Sequence, residues 1–132
     1  MLTPVTTTSI YAVLLALLFL GLSTRAMLGR RRMRVPLGEG TSEDLRRRLR
    51  AHANFAEYVP LALILMALLE LQGAGGIVLN IIGLLLLAGR IAHAYGISRI
   101  PEHLTARRIG VGFTVLSMIL SCLALLSIAL FG

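Results

Sequence analysis

Four apolar stretches dominate the pattern of hydrophobic and polar residues along the chain. They run from about Val5 to Leu22, Tyr58 to Leu71, Ile77 to Gly96 and Ile109 to Phe131. A helix needs about 20 predominantly apolar residues to cross the hydrocarbon core of a bilayer. Some of the stretches reach this length only when neighbouring polar residues are included. The pattern predicts four helices, at about residues 5–33, 42–72, 77–97 and 105–131.

The composition places the chain among membrane proteins. Hydrophobic residues make up 57% of the 132 and charged residues only 14%, and the mean hydropathy is +0.86. A soluble domain of this size could not bury so much apolar surface. The sequence therefore predicts an all-α integral membrane protein, a four-helix bundle formed by a single domain over residues 1–132.

The positive charge lies on one side of the predicted bundle. All 13 basic residues are arginines, and they fall in or beside the first and third connections, whereas the turn at 72–76 has none. Arginine-rich loops favour the cytoplasmic side of a membrane. We therefore expect both termini outside and both arginine-rich loops in the cytoplasm. The sequence has too few polar and aromatic residues beside these arginines to indicate a nucleic-acid surface.

Polar side chains begin the second apolar stretch, at a depth where they are costly. Arg50, Asn54 and Glu57 are spaced i, i+4 and i+7, so they share one face of a helix. About 20 residues counted back from Leu71 reach His52, which places Asn54 and Glu57 within the bilayer. Polar residues at this depth are commonly functional.

The third predicted helix carries polar residues at matching depths. A short turn joins antiparallel neighbours, so Glu57 is level with Arg90, and Asn54 is level with His93. A lone charge at the bilayer centre costs about 2.5–3.5 kcal/mol on insertion scales. We therefore predict that Glu57 and Arg90 form an ion pair. The pair could be functional or only structural.

Arg107 and Arg108 begin the fourth helix near the same level as these residues. Several guanidinium groups beside a membrane cleft suit a small ligand with carboxylates. They would also favour a thiolate over a thiol.

Simpler interpretations exist for many of the polar residues. Arg25 and Arg30 to Arg34 are typical of topology determinants and lipid contacts. Arg46 to Arg48 can form a solvated face, and Glu70 is expected to be solvated beside the outer turn. His52 and His93 can be hydrogen-bonded packing residues. No metal site is expected, because the three histidines lack a tight ligand spacing.

At these residues the sequence resembles the MAPEG family, the membrane-associated proteins of eicosanoid and glutathione metabolism, and its short bacterial members in particular. The motifs are Arg50-Ala51-His52-x-Asn54-x-x-Glu57-Tyr58-x-Pro60, Gly89-Arg90-Ile91-Ala92-His93-x-Tyr95-Gly96 and Arg107-x-x-Gly110. With the four apolar stretches, they cover essentially the whole chain.

The resemblance implies a homotrimer in a bacterial inner membrane, with glutathione bound as co-substrate between adjacent protomers at the cytoplasmic side. Arg107 matches the arginine that stabilises the glutathione thiolate, with Arg108 as the alternative catalytic residue. The implied glutathione contacts are Arg31, Arg50, Asn54, Glu57, Tyr58, Arg90, His93 and Tyr95.

Two functions are compatible with these features. The first is a glutathione-dependent transferase or peroxidase that acts on apolar electrophiles reaching it from the lipid. The second is a non-enzymatic membrane protein, either a small transporter or a structural subunit, that uses the same polar stripe. A proton-coupled exporter usually needs an unpaired carboxylate in the membrane, and the predicted pairing of Glu57 with Arg90 disfavours that class.

Overall fold

The computed structural model describes residues 4–132, so the first three residues of the predicted domain lie outside the described part. Its four helices are α1 (Thr6–Met33), α2 (Glu43–Leu71), α3 (Gly76–Ser98) and α4 (Leu104–Phe131). Every boundary lies within one residue of its predicted position, and each helix is long and apolar enough to cross a membrane. The predicted all-α, four-helix membrane fold is confirmed.

The helices that follow the two arginine-rich loops begin at side-chain caps. The Leu45 N–H donates to Ser42 Oγ over 3.2 Å at the start of α2, and the Ala106 N–H donates to His103 Nδ1 over 3.1 Å at the start of α4. Such caps satisfy backbone donors that have no partner within the helix. We call the end of the bundle that carries these two loops the basic end.

Glu70, in the last turn of α2, accepts hydrogen bonds from the first turn of α1. Its Oε1 accepts from the Thr7 N–H over 2.8 Å, and its Oε2 accepts from the Thr8 N–H over 2.7 Å. The first N–H groups of a helix lack internal partners, and the positive end of the helix dipole favours a carboxylate. The expectation that Glu70 is solvated beside the turn was wrong, because α1 brings these donors to it.

Glycines let α3 and α4 approach each other closely. A Cβ added to Gly110 would collide with the His93 backbone, and one added to Gly96 would lie 2.5 Å from the Arg107 backbone nitrogen. Small residues at a helix interface permit this kind of backbone contact within a membrane. The contact sets the start of α4, with Arg107, directly against the end of α3.

The interior is apolar where α1, α2 and α3 meet. Leu15, Phe55, Val59 and Leu86 are buried together there. Large apolar side chains such as Leu17 remain exposed on the outer surface, as expected where lipid replaces water.

Candidate functional site

Arg90 is buried within the bundle and hydrogen-bonds to two other helices. It is 1% exposed, and its Nη2 donates to Asn54 Oδ1 over 2.7 Å. Its Nη1 lies 3.4 Å from Thr114 Oγ1, and its guanidinium carbon lies 5.9 Å from the centre of the Phe55 ring. These contacts join α2, α3 and α4 through a single guanidinium group.

The predicted pairing of Glu57 with Arg90 is wrong. Glu57 is exposed on the outer surface of α2, and no cation of residues 4–132 lies within salt-bridge distance of it. Positions three residues apart on a helix differ by about 60° in direction. Asn54 therefore faces Arg90, while Glu57 points past it. Asn54, which was predicted to lie level with His93, hydrogen-bonds to Arg90 instead, through its side-chain oxygen.

Two buried nitrogens beside this contact make no hydrogen bond within residues 4–132. His93 is 2% exposed. Within the described chain, Arg90 Nε and His93 Nδ1 have no hydrogen-bond partner. Tyr58 follows Asn54 by four residues on α2 and is half-buried. The unpaired nitrogens suit a polar ligand group or an ordered water molecule, since buried polar groups are costly to leave unpaired.

A second polar site lies at the basic end, between α2 and the α3–α4 loop. It is a pocket of about 250 Å³ lined by Glu43, Arg46, Arg47, Arg50, Ile97, Glu102 and Arg107. We call it the arginine pocket. The Arg107 Nη1 donates to Glu102 Oε2 over 2.8 Å, and the Arg47 Nη1 lies 3.4 Å from the same oxygen. Two arginines therefore converge on one carboxylate.

The arginines beside Glu102 stabilise its carboxylate form. The hydrogen bond from Arg107 is the main cause that lowers the pKa of Glu102, and the charges of Arg107 and Arg47 lower it further. Glu102 lies in the loop between α3 and α4, outside the membrane-spanning helices. The arginine pocket thus already holds an anionic carboxylate, and its donors are arranged for that chemistry.

Comparison with known proteins settles the family. The sequence model of the MAPEG family matches residues 8–127. This chain belongs to the MAPEG family. Inner membrane protein YecN of Escherichia coli K12 is 37% identical over 116 residues, which cover 88% of this chain and 87% of the relative. The protein of the same name from Escherichia coli O6:H1 is similar to the same extent.

The structure separates the residues that the MAPEG resemblance implies as glutathione contacts. Asn54 and Arg90 meet inside the bundle, and Arg50 lines the arginine pocket with the implied catalytic residue Arg107. Tyr95 lines a different cavity, between α1 and α3. The remaining implied residues with outward-facing side chains in the protomer are Arg31, Glu57 and Arg108. Their contact with glutathione stays a prediction.

Of the residues that line the arginine pocket in this MAPEG protein, sequence reasoning singled out Arg50 and Arg107 and missed the others, among them Arg47 and Glu102. Arg47 was expected on a solvated face, yet it binds Glu43 Oε1 over 2.7 Å and approaches Glu102. Arg48 binds Asp44 over 2.8 Å and contacts the Arg25 carbonyl oxygen, so it too links elements. The spacing of these acid–arginine pairs, four residues apart, was a visible signal. No comparable signal in the sequence indicated that Glu102, in the α3–α4 loop, would reach this pocket.

The other histidines have structural partners. His52 Nε2 lies 2.9 Å from Ser23 Oγ, and its ring stacks on Phe19 with the centroids 4.8 Å apart. His103 caps α4. Across the part of the chain that the structure describes, no group of three potential metal ligands occurs.

Proposed function

We propose that this MAPEG protein is a membrane-embedded glutathione-dependent transferase or peroxidase that acts on apolar electrophiles. The observation that carries the proposal is the convergence of Arg107 and Arg47 on one oxygen of Glu102. A pocket whose arginines hold the protein's own carboxylate can also hold the anionic groups of glutathione, which has two carboxylates and an ionisable thiol. Arginine binds such groups as a planar fork.

The shape of the protomer supports a site completed by a second copy. The arginine pocket measures about 250 Å³, whereas sites for small ligands usually measure about 300–1,000 Å³. Glu57 is exposed on a membrane-spanning helix, where contact of a charge with lipid is costly. We propose a homotrimer in which a neighbouring protomer covers Glu57 and completes the arginine pocket. Arg31, exposed near the end of α1, would contact glutathione from that neighbour.

In this proposal glutathione supplies the nucleophile and the arginines control its ionisation. A free thiol has a pKa of about 8.5, so only a few per cent is ionised at neutral pH. Arg107 would stabilise the thiolate, with Arg108 as the alternative, while Arg50 would bind a carboxylate. The Arg90 and His93 nitrogens that lack partners within residues 4–132 would face the peptide part of the ligand. The electrophile would reach the sulfur from the lipid.

A non-enzymatic function as a small transporter is the second candidate, and Glu57 favours it. The predicted ion pair that disfavoured an exporter does not form. Glu57 is an exposed carboxylate on a spanning helix, and none of the described cations pairs with it. Such a residue can carry protons across a membrane. The same polar stripe would then line a transport path.

For localisation, we propose the bacterial inner membrane, with both termini outside and the basic end in the cytoplasm. The one-sided distribution of the 13 arginines supports this orientation. The printed name of the relative YecN, an inner membrane protein, supports the choice of membrane. Glutathione is then available on the side where the arginine pocket opens.

Calorimetric titration of the purified protein with glutathione and with S-hexylglutathione tests the proposal. We expect both to bind, and the hexyl compound to bind more tightly because its chain can enter an apolar region. Arg50→Ala should weaken binding of both, whereas Arg34→Ala, at an exposed loop position, should not. The absence of binding heat with either compound would contradict the proposal and favour the transporter.

A further inference from the structure

A groove on the outer surface of the bundle, between α1 and α3, is separate from the arginine pocket. Its volume is about 690 Å³, within the usual range for ligand sites. The two cavities share no lining residue. Most of the groove is apolar, and its apolar lining consists of Leu17, Leu18, Gly21, Leu22, Ile91 and Ala94.

The end of the groove nearest the basic end is positively charged. Arg25 Nη1 donates to Ser98 Oγ over 2.9 Å, and the Arg99 guanidinium lies 4.7 Å from the centre of the Tyr95 ring. The ion pairs among residues 4–132 involve Arg47, Arg48 and Arg107, but neither Arg25 nor Arg99. Two guanidinium charges therefore face the same end of the groove without a carboxylate.

We propose that this groove binds one anionic phospholipid from the leaflet at the basic end. Its phosphate would lie between Arg25 and Arg99, and an acyl chain would run along Leu17 and Ile91. Guanidinium groups bind phosphate through paired hydrogen bonds, and basic pockets between spanning helices suit anionic head groups. Tyrosine is enriched at this membrane depth, because its ring is apolar and its hydroxyl is polar.

Charge complementarity favours a lipid over a second copy of the chain as the occupant. A protein helix packed here would have to present an acid to both Arg25 and Arg99, at the level where the apolar lining ends. Anionic phospholipids place a phosphate at that level and a hydrocarbon chain below it. This site requires no glutathione, so it stands apart from the proposed function.

Gly21 keeps the apolar part of the groove open. A Cβ added to Gly21 would meet no heavy atom within 4 Å, although the residue lies inside α1. Gly21→Leu should therefore fill the groove without a clash. Gly112, in α4, also has open space around its Cβ position and does not line the groove. Gly112→Leu is thus a matched control.

Native mass spectrometry of the protein, released from bilayers of equal phosphatidylglycerol and phosphatidylethanolamine, tests the proposal. The wild type should retain phosphatidylglycerol preferentially. The double variant Arg25→Gln/Arg99→Gln should lose about 10- to 30-fold in affinity for it. The control Arg32→Gln/Arg34→Gln removes the same amount of charge from exposed positions. This control should retain phosphatidylglycerol as the wild type does. Gly21→Leu should lose the lipid, and Gly112→Leu should keep it.

Three results would overturn the proposal. The first is equal retention of phosphatidylglycerol by the groove variants and by their controls. The second is equal retention of both lipids by the wild type. The third is efficient cross-linking between protomers through cysteines placed at Leu17 and Ile91 in a Cys122→Ser background, because a second copy would then cover the groove. If the loss of two arginines impairs folding, Gly21→Leu still tests the proposal, because it fills the groove and leaves Arg25 and Arg99 in place.

Discussion

The Asn54 Oδ1 lies 2.7 Å from the Arg90 Nη2, and this contact joins α2 to α3 in the interior of the bundle. Asn54→Ala should lower the free energy of unfolding by about 1–3 kcal/mol, because a buried guanidinium loses an acceptor. Glu57→Ala should change it by no more than about 0.5 kcal/mol in a monomeric detergent preparation, as for other exposed positions. Thermal unfolding in detergent measures both.

The Asn54–Arg90 contact also predicts the outcome of a double-mutant cycle. The combined Asn54→Ala/Arg90→Leu variant should be less destabilised than the sum of the two single variants, because the residues contact each other. Glu57→Ala should combine additively with Arg90→Leu. The reverse pattern, with coupling at Glu57 and none at Asn54, would restore the ion pair that the sequence predicted.

The sequence predicted the fold of this chain well because helix boundaries depend on local signals. Ser42 caps α2 directly ahead of the acidic residues Glu43 and Asp44, and all three are neighbours in the sequence. Glycine-containing turns and apolar lengths located the other helices. These signals are local and do not depend on which helices pack together. The boundaries of all four helices were therefore predicted to within one residue.

The site was less predictable, because depth along a helix does not define the direction of a side chain. Glu57 and Asn54 lie one turn apart, and the packing of α3 selects Asn54 as the partner of Arg90. Glu70 was not expected to contact α1, and Glu102 reaches Arg107 from a loop. Contacts of this kind depend on tertiary packing, which spacing along the sequence does not specify.

Glu70 caps α1 from a neighbouring helix, so its loss should loosen that end of α1. Glu70→Gln should lower the free energy of unfolding by about 0.5–2 kcal/mol, as for other helix caps. Hydrogen exchange of the Thr7 and Thr8 amides should accelerate, since these groups donate to the carboxylate. Glu39→Gln, at an exposed loop position, is the control. Unchanged exchange in Glu70→Gln would show that the cap does not form.

Glu102 occupies Arg107 and Arg47, the donors that the thiolate and a carboxylate of glutathione would use. Glu102→Gln should therefore raise the affinity for glutathione, by about two- to fivefold if the exposed pair has the usual strength. Calorimetric titration at neutral pH measures the change, with Glu39→Gln as a control. Weaker binding in Glu102→Gln would show instead that Glu102 positions Arg107 for the ligand.

The pH dependence of the Glu102 contact has a definite sign. Because the folded-state pKa of Glu102 is lowered, its stabilising contribution is present above the unfolded pKa of about 4.3. That contribution is lost as the pH falls through the folded pKa. In acid, the difference in unfolding temperature between wild type and Glu102→Gln should disappear. A difference that persists in acid would assign the effect to packing.

The proposed orientation predicts the location of the C-terminus and of the α1–α2 loop. A reporter fused after Gly132 should be active only in its periplasmic form, and a reporter inserted after Gly38, in the α1–α2 loop, only in its cytoplasmic form. The one-sided arginine distribution is the reason. Cytoplasmic activity of the fusion after Gly132 would place the arginine pocket outside the cell.

The central claim is that Arg107 stabilises a glutathione thiolate. It predicts that loss of Arg107 changes the pKa of the bound thiol more than the affinity for glutathione. Arg107→Ala should keep most of the affinity for glutathione but leave the thiol pKa near its free value of about 8.5. Arg50→Ala should do the opposite, because it removes a carboxylate partner. If Arg108→Ala abolishes the pKa shift and Arg107→Ala does not, Arg108 is the catalytic residue.

Ultraviolet absorbance of the thiolate, measured across pH with the wild type saturated by glutathione, tests this claim most directly. The account predicts a thiolate signal at neutral pH that titrates with a midpoint well below about 8.5 and moves back to that value in Arg107→Ala. The absence of a thiolate signal at neutral pH, despite saturating glutathione, would contradict it.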